Sequence, residues 1–429
     1  MRRILAFAAA VVLMTGMVSC GQQGGGNAQS APAETTAAAA QSAPETTEAA
    51  GAEKTEAVQD DKKGEADKKD AAQGAGKADA AGKKAAMKVA MITGVGDIDD
   101  QSFNQTTYEA CKQFCEAAGL DFQYYKPASD SDDDRVAMIE KAIDEGFNVI
   151  VMPGYAFAAA IAKTAPEYSD VTFVALDVSE YDLTTAGLAT LPANLYSAVY
   201  QEELAGYMAG YAAVKLGYTK LGFLGGMAVP AVQRYGYGFV QGADAAAAAD
   251  GKTDVAIKYA YGNQFYGDAD ITAAMDTWYA DGVEVVFACG GGIFTSAGEA
   301  AAKVEGAKVI GVDVDQAATI DGLYGEGMTV TSAMKGLAAT VNTLLTQVKD
   351  GSFQGGRVEN LGLVSADVEA NYVQLPVAST QWNDTFAQAD YEALVASMFA
   401  GDITVDNDIT KAAGDFATVV ALEDLGNIK

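Results

Sequence analysis

An α/β fold with two doubly wound parallel-sheet lobes follows from three features of this chain. Short runs rich in Val, Ile and Ala alternate with longer amphipathic or alanine-rich stretches, the signature of βαβ units. The series of runs occurs twice, with a long helical stretch between the two occurrences. The 429 residues also exceed what one core accommodates, since single cores stop growing at roughly 250–300 residues.

In chain order, the first series is KVAMITG (88–94), DFQYYKP (121–127), NVIVMPG (148–154) and TFVALDV (172–178). Near-continuous apolar runs of this kind suit strands covered on both faces, as parallel sheets require. LYSAVYQEELAGYMAGYAAVKLG (195–217) reads as the helical divider. The second series is KLGFLGG (220–226), VAIKYAYG (255–262), VEVVFACGG (283–291) and KVIGVDVDQ (308–316). The expected division is a first lobe mainly over 87–195 and a second mainly over 218–330, with C-terminal segments crossing between them. Ligands of open parallel sheets bind beyond the carboxyl ends of the strands. The stretches just after the runs, GVGDIDDQSFN, PGYAF, LDVSE, GGMAVP, YGNQF, CGGGIF and GVDVDQ, concentrate glycines, aromatics and acids. Two such edges facing each other across a hinge form an interlobe cleft, the geometry of a type I periplasmic-binding-protein-like receptor.

The N-terminus reads as a targeting segment, with Arg2 and Arg3, the apolar stretch Ile4 to Met14, and small residues up to Cys20. MVSCG (17–21) resembles a bacterial lipobox, which implies cleavage before Cys20 and acylation of that cysteine; an ordinary secretory signal is the alternative. Residues 21–86 contain no aromatic residue and almost no branched aliphatics, so they cannot bury a core and read as a disordered tether. The expected destination is the outer face of the bacterial cytoplasmic membrane, with the lipid as sole membrane contact.

Lys plus Arg number 28 and Asp plus Glu 58, a net charge of −30. Eleven acidic and eight basic residues in the tether and two arginines ahead of it leave 29 net negative charges to Met87–Lys429. Such a surface repels phosphate backbones, which excludes nucleic acid as a partner. There is no histidine. That removes Ser/His/Asp and Cys/His triads and most zinc sites, so neither an enzyme, a metal site nor a cofactor is expected. Cys111, Cys115 and Cys289 read as buried free thiols, because side chains four apart on a helix run side by side instead of meeting at disulfide geometry.

Spacing alone leaves Phe103, in GDIDDQSFNQ (96–105), with two readings: a ring lying flat against a heterocycle, or a staple packed under a helix start. Asp97, Asp99, Asp100 and Ser102 suit helix capping. Asp177 closes the apolar run TFVALD, where an ionised carboxylate accepts from a ligand N–H or hydroxyl or is simply solvated. The glycines around Gly291 lack the lysine and spacing of a phosphate loop, and suit close approach of backbone to a ligand or to the other lobe.

GDIDDQSFNQ, VALD (174–177), KLGFLGGMAVPAVQRYGYGFVQG (220–242), VFACGGG (286–292), VIGVDVDQ (309–316) and TSAMKG (331–336) together resemble the basic membrane protein family of bacterial lipoproteins. That resemblance implies a monomeric receptor that binds a purine nucleoside and hands it to an ABC permease. It implies that Phe103 contacts the purine, with Phe265 as its counterpart from the second lobe, although Tyr261 or Tyr266 can serve instead. It places Asp177 at the ligand, and Asp313 and Lys335 at the ribose; Asn104, flanking the Phe103 ring, is a further candidate contact, Asp315 competes with Asp313, and a hinge ion pair is the plain alternative. Sugar-binding and sensor or adhesin roles remain open to the same fold. A nucleoside hydrolase fits worst, because Gly94, Gly96 and Asp97 stand where the first acids of its calcium-binding pattern belong.

Overall fold

The computed structural model describes residues 86–94 and 96–429. The expectations for the signal segment, for Cys20 and for the tether up to residue 85 lie outside the described residues.

The chain runs β1 (Lys88–Ile92), α1 (Phe103–Ala118), β2 (Asp121–Tyr125), α2 (Asp132–Asp144), β3 (Val149–Pro153), α3 (Ala158–Glu167), β4 (Thr172–Leu176), α4 (Glu180–Thr185) and β5 (Leu195–Tyr200). It continues through α5 (Glu202–Lys215), β6 (Lys220–Gly225), α6 (Pro230–Asp250), β7 (Ala256–Tyr261), α7 (Ala269–Ala280), β8 (Val285–Cys289), α8 (Phe294–Ala301), β9 (Lys308–Asp313), α9 (Ala317–Tyr324) and β10 (Thr329–Lys335). The last part holds α10 (Leu337–Asp350), β11 (Arg357–Leu361), β12 (Val373–Gln374), α11 (Gln388–Ala400) and β13 (Ala421–Asn427).

Two sheets result. One has the order β11-β5-β4-β3-β1-β2 and the other β12-β10-β9-β8-β6-β7-β13. All pairings are parallel except that of β12 with β10. Stripped of their late additions, both sheets read 2-1-3-4-5 in their own strands, so each has a topological switch point, at β1/β3 and at β6/β8. The residues of β1, β3 and β4 after their first positions are fully buried between helices, which is why these strands read as unbroken apolar runs.

The stretch expected to be one helical divider is instead a strand and a helix. Leu195–Tyr200 pairs with β4 on one side and β11 on the other, and only Gln201 separates it from α5. The alanines and tyrosines of LYSAVY and EELAGYM share one apolar character, so hydropathy does not mark the boundary.

The chain passes between the sheets at Gln201, at Gly336 and between Leu361 and Tyr372, and these segments bond to one another. Gln201 N–H donates to Leu361 O at 2.9 Å, Gly336 N–H to Tyr372 O at 2.7 Å, and Tyr372 N–H to Gly362 O at 3.1 Å. This backbone knot is the hinge. Beside it, α5 lies on α6. Each helix carries glycines four apart, Gly206 and Gly210 on α5, Gly238 and Gly242 on α6. A Cβ added at Gly210 would stand 2.0 Å from the Phe239 carbonyl oxygen, and one at Gly242 2.0 Å from that of Tyr207. The two backbones therefore touch, and no side chain can yield to make room.

Gly210→Ala is expected to lower the unfolding free energy by about 3 kcal/mol, because the clash is with backbone. Gly322→Ala in α9, where an added Cβ meets no atom within 4 Å, is expected to be neutral or stabilising. Urea midpoints of the two variants check the pair.

Candidate functional site

Both sheets point the carboxyl ends of their strands at one cavity, about 920 Å³ in volume when its opening to solvent is included. Phe103, Asn104, Asp177, Phe265, Gly291, Asp313 and Lys335 all line it. The first three come from the first sheet's lobe and the other four from the second's.

Phe103 is the first residue of α1, immediately beyond the loop that leaves β1. Its half-buried ring is aimed at the cavity because Asp100 fixes the turn, accepting from the backbone N–H groups of Ser102 at 3.0 Å, Asn104 at 2.9 Å and Gln105 at 3.0 Å. Asp100 also accepts from the Asn104 side chain at 3.0 Å. Ser102, expected to cap the helix, makes no side-chain cap. Its hydroxyl donates instead to Asp313 Oδ2 at 2.6 Å, joining the two lobes. Asp97 pairs with Lys126 and does not cap either.

Phe265 reaches the cavity from the loop after β7 and rests on glycines. A Cβ at Gly226 would lie 2.5 Å from its ring, and one at Gly290 2.9 Å. Gly292 N–H donates to Phe265 O at 2.8 Å. The glycine run of CGGGIF thus seats an aromatic residue, and Gly291, with φ of 52°, lines the cavity beside it. The alternatives to Phe265 do not share its position. Tyr266 is 63% exposed, and Tyr261 is hydrogen-bonded to Tyr259 at 2.8 Å outside the cavity lining. Asp315, the competitor of Asp313, is exposed and accepts from Ser379.

Charge gathers at the hinge end of the cavity. Asp177 and Asp313 terminate β4 and β9 in the same left-handed conformation, with φ of 60° and 66°, one from each lobe. A non-glycine residue held there costs on the order of 1 kcal/mol or more, a strain typical of functional positions. Lys335 lies between them, its ammonium 2.6 Å from Asp177, 3.4 Å from Glu202 and 3.7 Å from Asp313. It also stands 4.6 Å from the centroid of the Phe103 ring, in cation–π range. Glu202, fully buried, accepts from Arg234 at 2.7 Å. Lys335 precedes the Gly336 crossing and Glu202 follows the Gln201 crossing, so the cation is anchored on the hinge itself.

Burial pushes the Asp177 carboxyl up to about 6 against the pull of Lys335. Asp313 is raised for the same reason, with Lys335 and the Ser102 hydroxyl opposing. Burial disfavours the Lys335 ammonium, yet Asp177, Asp313 and Glu202 outweigh it and hold its pKa above the ordinary lysine value. The cluster thus keeps a charged lysine in a cleft that has more carboxylates than cations. Such a site suits a neutral ligand rich in hydroxyls and N–H groups, and repels phosphate.

Residues 87–393 match the family described as ABC transporter substrate-binding protein PnrA-like, or Bmp. The chain belongs to the Bmp family. It is a substrate-binding protein of the ABC-transporter class, a class of extracytoplasmic binding proteins and not of enzymes. The nucleoside-binding protein BmpA of a Lactococcus lactis ABC transporter is 26% identical over 323 residues, 71% of this chain and 86% of that protein. Basic membrane protein A1 of Borrelia garinii is 27% identical, covering 64% of this chain and 77% of the other. A solved ABC transporter solute-binding protein from Conexibacter woesei superposes with a TM-score of 0.57 at 25% identity, over 75% of this chain and 99% of that one.

Sequence reading of this Bmp chain missed Glu202, Arg234 and Tyr235, all inside stretches that it quoted. Glu202 opens the apolar helix α5, where an acid looks like complement to the helix dipole. Arg234 and Tyr235 follow Pro230 within the first turns of α6, where nothing in the spacing says which face meets the hinge. The plain alternative for Lys335, an ion pair at the hinge, describes its contacts, and the same residue lines the cavity.

Lys335→Met leaves the buried carboxylates of Asp177 and Asp313 without their cation, while Glu202 keeps Arg234. The folded-state pKa values of Asp177 and Asp313, already raised by burial, then lie further above the unfolded ones, so the native state binds protons more tightly and stability falls as pH rises. The variant is expected to be about 3–5 kcal/mol less stable than the wild type at pH ~8, with a much smaller deficit at pH ~5, as read by denaturant unfolding at both.

Proposed function

We propose that this protein is a lipid-anchored receptor that encloses a purine nucleoside between its lobes and delivers it to an ABC permease. The observation that carries this reading is the pairing of two aromatic rings with one polar cluster. Phe103 from one lobe and Phe265 from the other line the same cavity, and the carboxylates and ammonium of Asp177, Asp313 and Lys335 line it too. A planar heterocycle is the chemical group on which such aromatic rings stack, and a pentose is the group whose adjacent hydroxyls answer both carboxylate acceptors and an ammonium donor. In this reading Asn104 and Asp177 contact polar edges of the ligand, Gly291 lets it approach the backbone, and no bond is made or broken. The name of the Lactococcus lactis relative supports a nucleoside as cargo.

A calorimetric screen of purine nucleosides, pyrimidine nucleosides and monosaccharides against the purified protein tests the reading. A purine nucleoside is expected to bind and to raise the melting temperature, since a ligand of the native state alone stabilises it. Phe103→Ala and Phe265→Ala are each expected to weaken that binding by about tenfold or more, the magnitude of one lost base–aromatic stack. Binding of a monosaccharide with no response to any purine nucleoside would overturn it.

The anchor has its own test. Cys20→Ser is expected to abolish incorporation of labelled palmitate into the exported protein; unchanged labelling would assign the lipid elsewhere or remove it from the account.

A further inference from the structure

We infer that Tyr235 reads the ligand's sugar, donating its hydroxyl to a ribose oxygen and so setting the preference for ribonucleosides over deoxyribonucleosides. This rests on the nucleoside reading above and adds a residue and a selectivity to it.

Tyr235 lies on α6, one residue beyond Arg234, and its side chain is 1% exposed. Its ring is wedged edge-on against Phe287, the centroids 6.0 Å apart at 85°, while the Lys335 ammonium lies 5.9 Å from its own centroid. The residue lines the cavity. Yet its hydroxyl, fully buried, has no hydrogen-bond partner among the described residues. Burying a hydroxyl without a partner is costly, and a phenylalanine would fill the same space without that cost. The hydroxyl is therefore an expense that folding alone does not explain.

A second orphan accompanies it. Asp177 gives one oxygen to Lys335 at 2.6 Å, and its other oxygen, Oδ1, is buried without a partner among the described residues. The two unmet groups are complementary in kind. Ionised Asp177 can only accept, and Tyr235, kept a neutral phenol by its burial and then by the nearby carboxylates of Asp313, Glu202 and Asp177, is set to donate. A vicinal diol supplies both needs, with one hydroxyl donating to the carboxylate and an oxygen accepting from the phenol. A deoxyribose lacks one of those hydroxyls and leaves one orphan unmet, and selectivity of this origin is larger than a pocket gains from shape alone.

The test compares wild type and Tyr235→Phe of the full-length protein, titrated calorimetrically with inosine, guanosine and their 2′-deoxy and 3′-deoxy analogues. The variant is expected to bind the ribonucleosides about tenfold more weakly, the value of one buried hydrogen bond, and to bind one deoxy series as the wild type does. Its ratio of ribo to deoxy affinity then collapses for that series. Without ligand, the variant is expected to melt no lower than the wild type, because the lost hydroxyl had no partner. If the wild type binds purine nucleosides and Tyr235→Phe keeps the same discrimination, or weakens every ligand equally, the inference fails and the nucleoside reading stands. If the wild type binds no nucleoside, both fall.

Discussion

One buried cation organises this molecule. Lys335 sits where the chain crosses between the lobes, and it reaches the strand-end carboxylates of both, Asp177 and Asp313, together with the hinge residue Glu202. A lone ammonium at that depth would lose its proton or unfold the protein, and the carboxylates of Asp177 and Asp313 without it would be as costly. The cation and the acids each make the other tolerable. The consequence is geometric: the lobes are held in one relation by charges that also form the wall of the ligand cavity.

Around that centre the two lobes are built on the same plan. Each contributes a five-strand 2-1-3-4-5 unit, an aspartate in the left-handed conformation at the end of its fourth strand, and a phenylalanine at the cavity, Phe103 opening a helix and Phe265 in a loop. The plan is repeated with different means. Phe103 is placed by an acid that captures three backbone N–H groups of a helix start, whereas Phe265 is placed by glycines whose missing side chains leave room for its ring. Two local solutions thus bring two rings to one cavity, which is why the two loops share so little sequence.

Strands β1, β3, β4, β6, β8 and β9 were legible because burial on both faces writes them as nearly unbroken apolar runs, β2 and β7 by their place in the series, and the rule that ligands bind beyond strand ends then pointed to residues that do line one cavity. What escaped notice follows from the same physics. LYSAVY merged into the helix after it because a buried strand and an alanine-rich buried helix have the same hydropathy. β11, β12 and β13 are short or lie at sheet edges, and their half-exposed residues carry no apolar run. Ser102 has the right identity for a cap, yet its hydroxyl serves the opposite lobe, a partner 211 residues away that local spacing does not reveal. Glu202 and Arg234 read as ordinary helix-start charges until the fold brings Glu202 to Lys335 and Arg234 to Glu202.

The groups that face the ligand are also the groups that bridge the lobes, and this couples recognition to closure. Ser102 bonds Asp313 across the cleft, Lys335 bonds Asp177, and Gln316 donates from the second lobe to the Gln101 carbonyl at 3.0 Å. The first two of these contacts occupy carboxylate oxygens and the ammonium, so an incoming molecule meets acceptors and donors already partly satisfied. Among the described residues, Asp177 Oδ1 and the Tyr235 hydroxyl are buried at the cavity with no hydrogen-bond partner. A ligand that merely fills space gains little from such walls, since the lobes already hold one another. A ligand that satisfies both orphans removes a cost the closed form otherwise bears, and so favours that form over an open one in proportion to how well it fits them. Closure is then selective because the protein leaves a small, specific deficit at the hinge end of the cleft, and the cargo is whatever molecule makes it good.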